Sequence, residues 1–153
     1  MSRIRAIAID DVALPPPTPE IEQERRVAVA DLLEENRFDL PGRADGPYEV
    51  TLGIRDGRLV VDVMAREQKA AEFHLALSPF RQVGKDYFQI CKAYFEAAKT
   101  MPPSQIEAID MARRGIHDEG GRVLMERLEG KAELDHGTAR RLFTLICVLH
   151  LGR

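Results

Sequence analysis

A chain of 153 residues, 44% hydrophobic and 31% charged, is typical of one soluble globular domain and too apolar for an intrinsically disordered protein. A net charge of −3 and a pI near 5.8 exclude a global basic field, so no nucleic-acid partner is expected. No segment approaches the ~20 apolar residues of a membrane span, and the N-terminus has no signal-peptide pattern. These features predict a cytoplasmic protein that does not act at a membrane.

The N-terminal part of the chain begins with a strand pattern and continues into a helix pattern. An apolar run interrupted by arginines predicts a short strand over residues 3–9. Three consecutive prolines, residues 15–17, form a stiff extended linker. With Thr18 as the N-cap, a helix is predicted from Pro19 to Asn36. Residues 38–46, rich in glycine and proline, predict a loop.

A β-hairpin is the clearest local pattern in the sequence. Apolar and polar residues alternate over 48–54 and again over 59–63. Between these runs lies Asp56-Gly57, the pair favoured by a type I′ turn because both central residues need positive φ. A third strand is predicted over 71–77, so these pieces predict an antiparallel meander with one solvent-facing side.

After Ser78-Pro79 the apolar period lengthens to about 3.6, which predicts helices over 79–99, 104–129 and 135–150. Ser104 and Glu107 have the spacing of a capping box at the start of the second helix. Gly115 is a candidate left-handed cap, after which Asp118 would begin a further helix.

Asp135 is the predicted cap of the last helix, which is apolar on nearly every side. Such a helix is either the central core helix or a subunit interface. Leu142, Ile146 and Leu149 are expected to be buried against the apolar stripe of the helix over 79–99. Cys91 and Cys147 fall within these apolar patterns and predict buried free thiols, with a disulfide as the rarer alternative.

The predicted fold class is α+β. An antiparallel β-meander of three to four strands packs against a C-terminal set of three to four helices. The whole chain, residues 1–153, forms one domain, with a strand-rich half with one helix over 1–78 and an all-helical half over 79–153.

Five segments of the sequence resemble bacterial proteins grouped as uncharacterised protein family 0262. They are LSPFR at 77–81, KDYF at 85–88, PPSQIEAIDM at 102–111, RRG at 113–115 and ARRLFTLICVLH at 139–150. The hairpin and the first helix fit the same family more loosely, so the resemblance covers essentially the whole chain. It implies a bacterial cytoplasmic protein and carries over no catalytic residue.

The candidate site lies in the stretch from Ser104 to Arg122. Spacings of three, four and three place Glu107, Asp110, Arg114 and His117 on one face of a helix, with Arg113 beside them. In a functional interpretation His117 is a general base oriented by a carboxylate, and Arg113 or Arg114 binds an anionic substrate. In the alternative interpretation Asp110 and Arg114 form an ordinary i,i+4 ion pair on a solvated helix face.

Other candidate sites have weaker patterns. Gly120-Gly121-Arg122 is either a phosphate-binding helix start or a tight turn between helices. Arg140-Arg141 is a candidate site for acidic partners. The apolar pattern around Cys91 predicts that its thiol is buried, whereas a nucleophilic cysteine needs an exposed thiolate. The histidines lack the spacing of a zinc site, so no metal and no cofactor are predicted.

Two classes of function remain open, and the sequence leaves it undecided whether the protein is an enzyme. The first is a small interaction or regulatory protein without its own catalysis, working through an unknown protein partner or as a homodimer. The second is an enzyme acting on a small phosphorylated or carboxylated substrate through Asp110, Arg113, Arg114, His117 and Arg122. A pocket that gathers these side chains favours the second, and a flat surface favours the first.

Overall fold

The computed structural model describes residues 2–12 and 14–151 of the chain. Within these residues the helices are α1 Pro19–Glu34, α2 Arg81–Thr100, α3 Pro103–Arg127 and α4 His136–Leu151. The strands are β1 Ile4–Ile9, β2 Phe38–Asp39, β3 Tyr48–Arg55, β4 Arg58–Ala65, β5 Gln68–Ala76 and β6 Glu133–Leu134. The α+β class is therefore confirmed, and between residues 81 and 151 the regular elements are helices apart from the two residues of β6.

The predicted hairpin and third strand are present and antiparallel. β3 pairs with β4, and β4 pairs with β5. The turn between β3 and β4 holds Asp56 at φ 54° and Gly57 at φ 73°. Positive φ at both positions is the requirement of the type I′ turn expected from the sequence. Alternation along β5 buries Phe73 and Leu75 while Glu72 and His74 stay exposed on the opposite face.

The sheet is mixed, so the prediction of a purely antiparallel sheet is wrong. The strand order is β1-β3-β4-β5, and β1 runs parallel to β3. The physical reason is the connection, because α1 carries the chain back to the starting end of β1 before β3 begins. On the outer edge of β1, the side chain of Asn36 hydrogen-bonds both backbone groups of Ile4. The Ile4 backbone N–H donates to Asn36 Oδ1 at 2.7 Å, and Asn36 Nδ2 donates to the Ile4 carbonyl at 2.9 Å.

The helices are not all C-terminal, which corrects the second part of the predicted architecture. α1 precedes the hairpin and packs against both β1 and α4. Its N-cap is Thr18, whose hydroxyl accepts a hydrogen bond from the Ile21 backbone N–H at 3.3 Å, as predicted. The short β2 pairs with β6, so part of the predicted loop over 38–46 is strand.

Helix α3 is continuous, and its predicted break is absent. Gly115 lies within the helix and Asp118 does not begin a new one. The capping box is also wrong, because the N-cap is Pro102 and no side chain caps this end. A glycine within a helix costs only about 1 kcal/mol relative to alanine. Packing of α3 against α2 and α4 offsets that cost.

Gly120 and Gly121 mark the place where α3 and α4 come closest. A Cβ atom on Gly120 would lie 2.4 Å from the Phe143 ring. A Cβ atom on Gly121 would lie 2.9 Å from Arg140 Cγ and 3.1 Å from the Arg140 backbone nitrogen. Only a residue without a side chain fits at either position, so these two glycines set the separation of the helices.

Helix α4 is the central core helix. The Asp135 carboxylate accepts a hydrogen bond from the Thr138 backbone N–H at 3.0 Å, which confirms the predicted cap. The buried side chains of α4 include Leu142, Phe143, Leu145, Ile146, Cys147, Val148 and Leu149. The predicted burial of the apolar residues of α4 is thus confirmed. Because these side chains are buried within the chain itself, α4 does not need a subunit interface to cover them.

Candidate functional site

A cleft of about 420 Å³ is formed by α1, α3 and α4, with one residue from α2. Its lining residues are Glu24, Val27, Ala28, Asp31, Tyr94, Asp110, Arg113, Arg114, His117, Gly137, Arg140, Arg141 and Thr144. Four of the five candidates from the sequence, Asp110, Arg113, Arg114 and His117, therefore lie in one concavity. The volume is within the range of small-molecule sites, roughly 300–1,000 Å³.

Asp110 holds both arginines of the α3 face. Its Oδ1 accepts from Arg113 Nη2 at 2.9 Å, and its Oδ2 lies 3.0 Å from Arg114 Nη2. The two side chains differ in burial, since Arg113 is 21% exposed and Arg114 is 70% exposed. Arg113 points inward and its guanidinium stacks over the Tyr94 ring at 4.3 Å from the centroid. The i,i+4 pair between Asp110 and Arg114 exists as the sequence predicted, at the rim of the cleft.

Glu24 of α1 joins three elements at the base of the cleft. Its side chain is 12% exposed. Its Oε1 accepts hydrogen bonds from the Tyr87 hydroxyl at 3.0 Å, the Cys91 thiol at 3.2 Å and Arg113 Nη1 at 3.4 Å. Burial, followed by the negative charge of Glu24, raises the pKa of Cys91 to about 12. Burial, followed by the neighbouring Cys91 and Glu24, raises the pKa of Tyr87 far above its usual range, so both groups remain protonated donors.

His117 is a neutral imidazole at physiological pH. Its ring packs on Tyr87 with the centroids 5.1 Å apart. Burial lowers the pKa of His117 to about 4, an effect to which Arg113 and Arg140 add and which Glu24 opposes. Within the described residues, its Nε2 is buried and has no hydrogen-bond partner. The carboxylate expected to orient a catalytic histidine is therefore not bonded to that nitrogen.

Arg140 and Arg141 belong to the same cleft as the α3 residues. The sequence treated this pair as a separate candidate, and the structure places it beside Arg114 and His117. Arg140 Nε lies 3.1 Å from Asp118 Oδ1 as an ion pair, without the geometry of a hydrogen bond. Arg141 Nη1 donates to the Glu35 carbonyl at 3.3 Å.

The charges of the cleft are mixed. Guanidinium groups from α3 and α4 share the lining with carboxylates from α1 and α3. Because a low-dielectric concavity strengthens electrostatic interactions, such a lining can bind and orient a charged small molecule.

Arg122, the fifth candidate, lies outside the cleft. Its side chain is 61% exposed and pairs with Glu119 on the same helix. The glycines before it are buried inside α3, so both interpretations of Gly120-Gly121, phosphate-binding helix start and tight turn, are wrong. Amides within a helix are already bonded to carbonyl groups four residues earlier and cannot bind a phosphate.

Sequence reasoning did not identify the α1 and α2 residues of the site. Apart from the apolar Val27 and Ala28, these are Glu24, Asp31 and Tyr94. One signal was available for Glu24, because it lies on the apolar stripe of α1 between Ile21 and Ala28, three residues after the first and four before the second. A carboxylate on a buried stripe needs partners, and this pattern points to a polar cluster.

Cys91 and Cys147 are free and buried, which confirms the prediction made for them. Across residues 2–12 and 14–151, no group of three or more His, Cys, Asp and Glu side chains is placed to hold a metal ion. In the same part of the chain, no helix combines the length and the apolar character that crossing a membrane requires.

Comparison with known proteins gives one consistent result. A family model described as "Uncharacterised protein family (UPF0262)" matches residues 1–152. A UPF0262 protein of Ruegeria pomeroyi is 71% identical over 99% of this chain and 98% of its own length. Relatives from Roseobacter denitrificans and Dinoroseobacter shibae, also named UPF0262 proteins, are 69% and 66% identical over 99% of both chains. No solved structure matches the chain. The chain belongs to the uncharacterised protein family UPF0262.

Proposed function

We propose that the protein is a small-molecule-binding module that binds an anionic ligand in the cleft between α1, α3 and α4 and acts by binding, without catalysis of its own. The observation that carries this proposal is the convergence of Arg114 from α3 with Arg140 and Arg141 from α4 on one concavity. Guanidinium groups bind carboxylates and phosphates in a planar, bidentate geometry. Three of them from two helices form a recognition surface for such a group.

The first test is a thermal-shift experiment with inorganic phosphate and sulfate, against chloride at matched ionic strength. A ligand that binds only the native state stabilises it by RT ln(1 + [L]/Kd). Phosphate or sulfate is expected to raise the melting temperature beyond the chloride effect. Arg114→Ala should reduce this increase, since it removes one guanidinium from the cleft, while an exposed ion pair of this kind contributes at most about 1 kcal/mol to stability.

Arg122→Ala is the matched control, because Arg122 is also an exposed, ion-paired arginine of α3 but lies outside the cleft. It should leave the anion-dependent shift unchanged. If the shift survives Arg114→Ala, Arg141→Ala should reduce it. An anion-specific shift that survives both substitutions places the ligand elsewhere and contradicts the proposal.

An enzyme acting on a small anionic substrate in the same cleft is the second candidate. The pocket that gathers Asp110, Arg113, Arg114 and His117 favours it, and the unprotonated His117 has the charge state of a general base. Binding is proposed first because, within the described residues, no carboxylate hydrogen-bonds to His117 Nε2 to orient it. Under the binding proposal, the purified protein should not hydrolyse phosphate monoesters or carboxylic esters. Turnover that is present in the parent and lost in His117→Gln would replace the binding proposal with the enzymatic one.

We also propose where the protein is located and which partners it has, from its cysteines and its charge. Two free, buried cysteines suit the reducing cytoplasm. The net charge of −3 argues against a nucleic-acid partner. A protein partner or a homodimer remains a prediction to be tested by light scattering, and α4 no longer supports it because the core covers that helix.

A further inference from the structure

The carboxylates that line the cleft differ in whether they already have partners. Asp110 binds two arginines, and Glu24 accepts hydrogen bonds from Tyr87, Cys91 and Arg113. Asp31 of α1 is different. In the part of the chain that the structure describes, no hydrogen bond or ion pair engages its carboxylate. The cleft thus contains one acidic group that is available to a ligand.

The arginines of α4 are only partly engaged. Arg140 contacts Asp118 through Nε, and Arg141 contacts the Glu35 carbonyl through Nη1. For the described residues, the structure shows no partner for the remaining guanidinium nitrogens of either side chain. One helix therefore offers donors for an anionic group, and another offers a free acceptor for a cationic group.

A ligand that is only anionic does not account for this arrangement. Such a ligand would bring its negative charge near the unpaired carboxylate of Asp31, and like charges repel. The aromatic ring of the cleft is not a substitute binding place for a cation, because Arg113 already covers Tyr94 at 4.3 Å. Asp31 is therefore the group in the cleft best placed to pair with a positive charge.

We propose that the ligand is a small zwitterion, with a carboxylate or phosphate that binds Arg140 and Arg141 and an ammonium group that pairs with Asp31. This inference rests on the proposed binding of an anion in the same cleft. Val27, which is 45% exposed and lines the cleft on α1, offers an apolar contact for a short carbon chain between the two charged ends.

The test uses the ω-amino acids from glycine to aminohexanoate, the alkanoates of equal chain length and the corresponding alkylamines. Binding is followed by chemical-shift titration of the backbone amides of α1, α3 and α4. At least one amino acid is expected to bind about fivefold more tightly than its matched alkanoate, the factor that an ion pair with an exposed carboxylate such as Asp31 can supply. Asp31→Asn should remove this advantage by weakening amino-acid binding, while alkanoate binding stays the same or becomes tighter because a repelling charge is lost.

Glu34→Gln is the control, because it removes an acid from the same helix at a position outside the cleft lining. It should preserve the preference for the amino acid.

The other outcomes separate this inference from the proposed function. Equal binding of amino acid and alkanoate, both weakened by Arg141→Gln, would overturn the zwitterion and retain anion binding. Alkylamine binding equal to that of the amino acid and insensitive to Arg141→Gln would overturn it in favour of a cation site. If neither these compounds nor inorganic phosphate shift the amides of the cleft, both proposals fail.

Discussion

At the scale of single residues, burial keeps three polar side chains under the cleft uncharged near neutral pH, and Glu24 links two of them to α3. Glu24 collects three donors on one oxygen, and its interaction with Arg113 connects α1 to α3. His117 is kept neutral by burial. Because Cys91 and Tyr87 also keep their protons, these two groups and His117 carry no charge near neutral pH. The charge presented to the proposed ligand is then set by the arginines and by the carboxylates of Glu24, Asp31 and Asp110.

His117 should make the protein sensitive to acid. Its pKa is about 4 when folded and near 6.5 when exposed, so the unfolded chain binds the extra proton between these values. The contribution of neutral His117 to the free energy of unfolding is therefore complete above pH 6.5 and is lost as the pH falls toward 4. The full loss is roughly 3 kcal/mol.

Urea unfolding at several pH values checks this prediction. His117→Phe keeps an aromatic ring against Tyr87 and removes the titrating group, so the variant should lose less stability than the parent over the same pH interval. Parallel stability profiles for the two proteins would show that another group causes the acid sensitivity.

The sequence predicted the site residues that lie close together in the chain, and it did not predict which distant residues join them. Asp110, Arg113, Arg114 and His117 were found because helical spacing places neighbours of one helix on one face. The convergence of that face with Arg140-Arg141 could not be predicted, because it depends on how α3 crosses α4. Asp31 is exposed and carries no pattern of its own, so nothing in its neighbourhood distinguished it from a solvated acid.

At the scale of elements, the crossing of α3 and α4 gives the sharpest stability test. Gly120→Ala places a methyl group 2.4 Å from the Phe143 ring. Phe143 is fully buried and cannot move away freely, so the substitution should lower the free energy of unfolding by about 1–3 kcal/mol.

Gly115→Ala is the matched control in the same helix, since a Cβ atom there meets nothing within 4 Å. It should raise the free energy of unfolding by about 0.5–1 kcal/mol, because alanine is the better helix former. Opposite signs for the two substitutions in denaturant unfolding are the expected result. Two stabilised variants would mean that α3 and α4 can separate without loss.

The burial of α4 in the core can be tested in the same way, by the effect of a substitution on the free energy of unfolding. Ile146 is 2% exposed, and Ile146→Ala should lower the free energy of unfolding by roughly 2–5 kcal/mol through lost burial and a residual cavity. Met111→Ala on the exposed side of α3, where the residue is 66% exposed, should change it by less than about 0.5 kcal/mol. A loss below about 1 kcal/mol at Ile146 would contradict its place in the core.

The elements that follow a local rule were predicted well. The hairpin turn, the Thr18 and Asp135 caps and the apolar stripes all depend on residues within a few positions of one another. The predictions were wrong where the local structure depends on a contact with residues far away in the sequence. Gly120 and Gly121 look like helix breakers until Phe143 and Arg140 are brought against them. The parallel pairing of β1 with β3 depends on the path of α1 and has no local pattern.

At the scale of the whole molecule, strand-rich and helical halves share one core. α4 packs against α1, α2, α3 and β3, and the buried side chains form a single cluster. Tyr48 in the sheet and Tyr87 in α2 are both buried, and the chain has no tryptophan. Near-ultraviolet circular dichroism therefore reports on tyrosines in both halves.

We expect one cooperative unfolding transition, with the tyrosine signal and the far-ultraviolet signal giving the same midpoint. The physical reason is that neither half can keep its apolar face covered when the other unfolds. Two separated midpoints would mean that residues 1–78 and 79–153 unfold as independent units.

The glycine contact between α3 and α4 also determines how the cleft can adapt. Gly121 lies against the backbone nitrogen of Arg140, so the spacing here is fixed by main-chain atoms. Side chains change rotamer within nanoseconds, whereas packed backbones keep their separation. The distance between α3 and α4 at this end of the cleft is therefore fixed. On the α1 side, the side chains of Val27 and Asp31 can change rotamer. The proposed ligand would therefore meet backbone of fixed spacing on the α3–α4 side and side chains that can change rotamer on the α1 side.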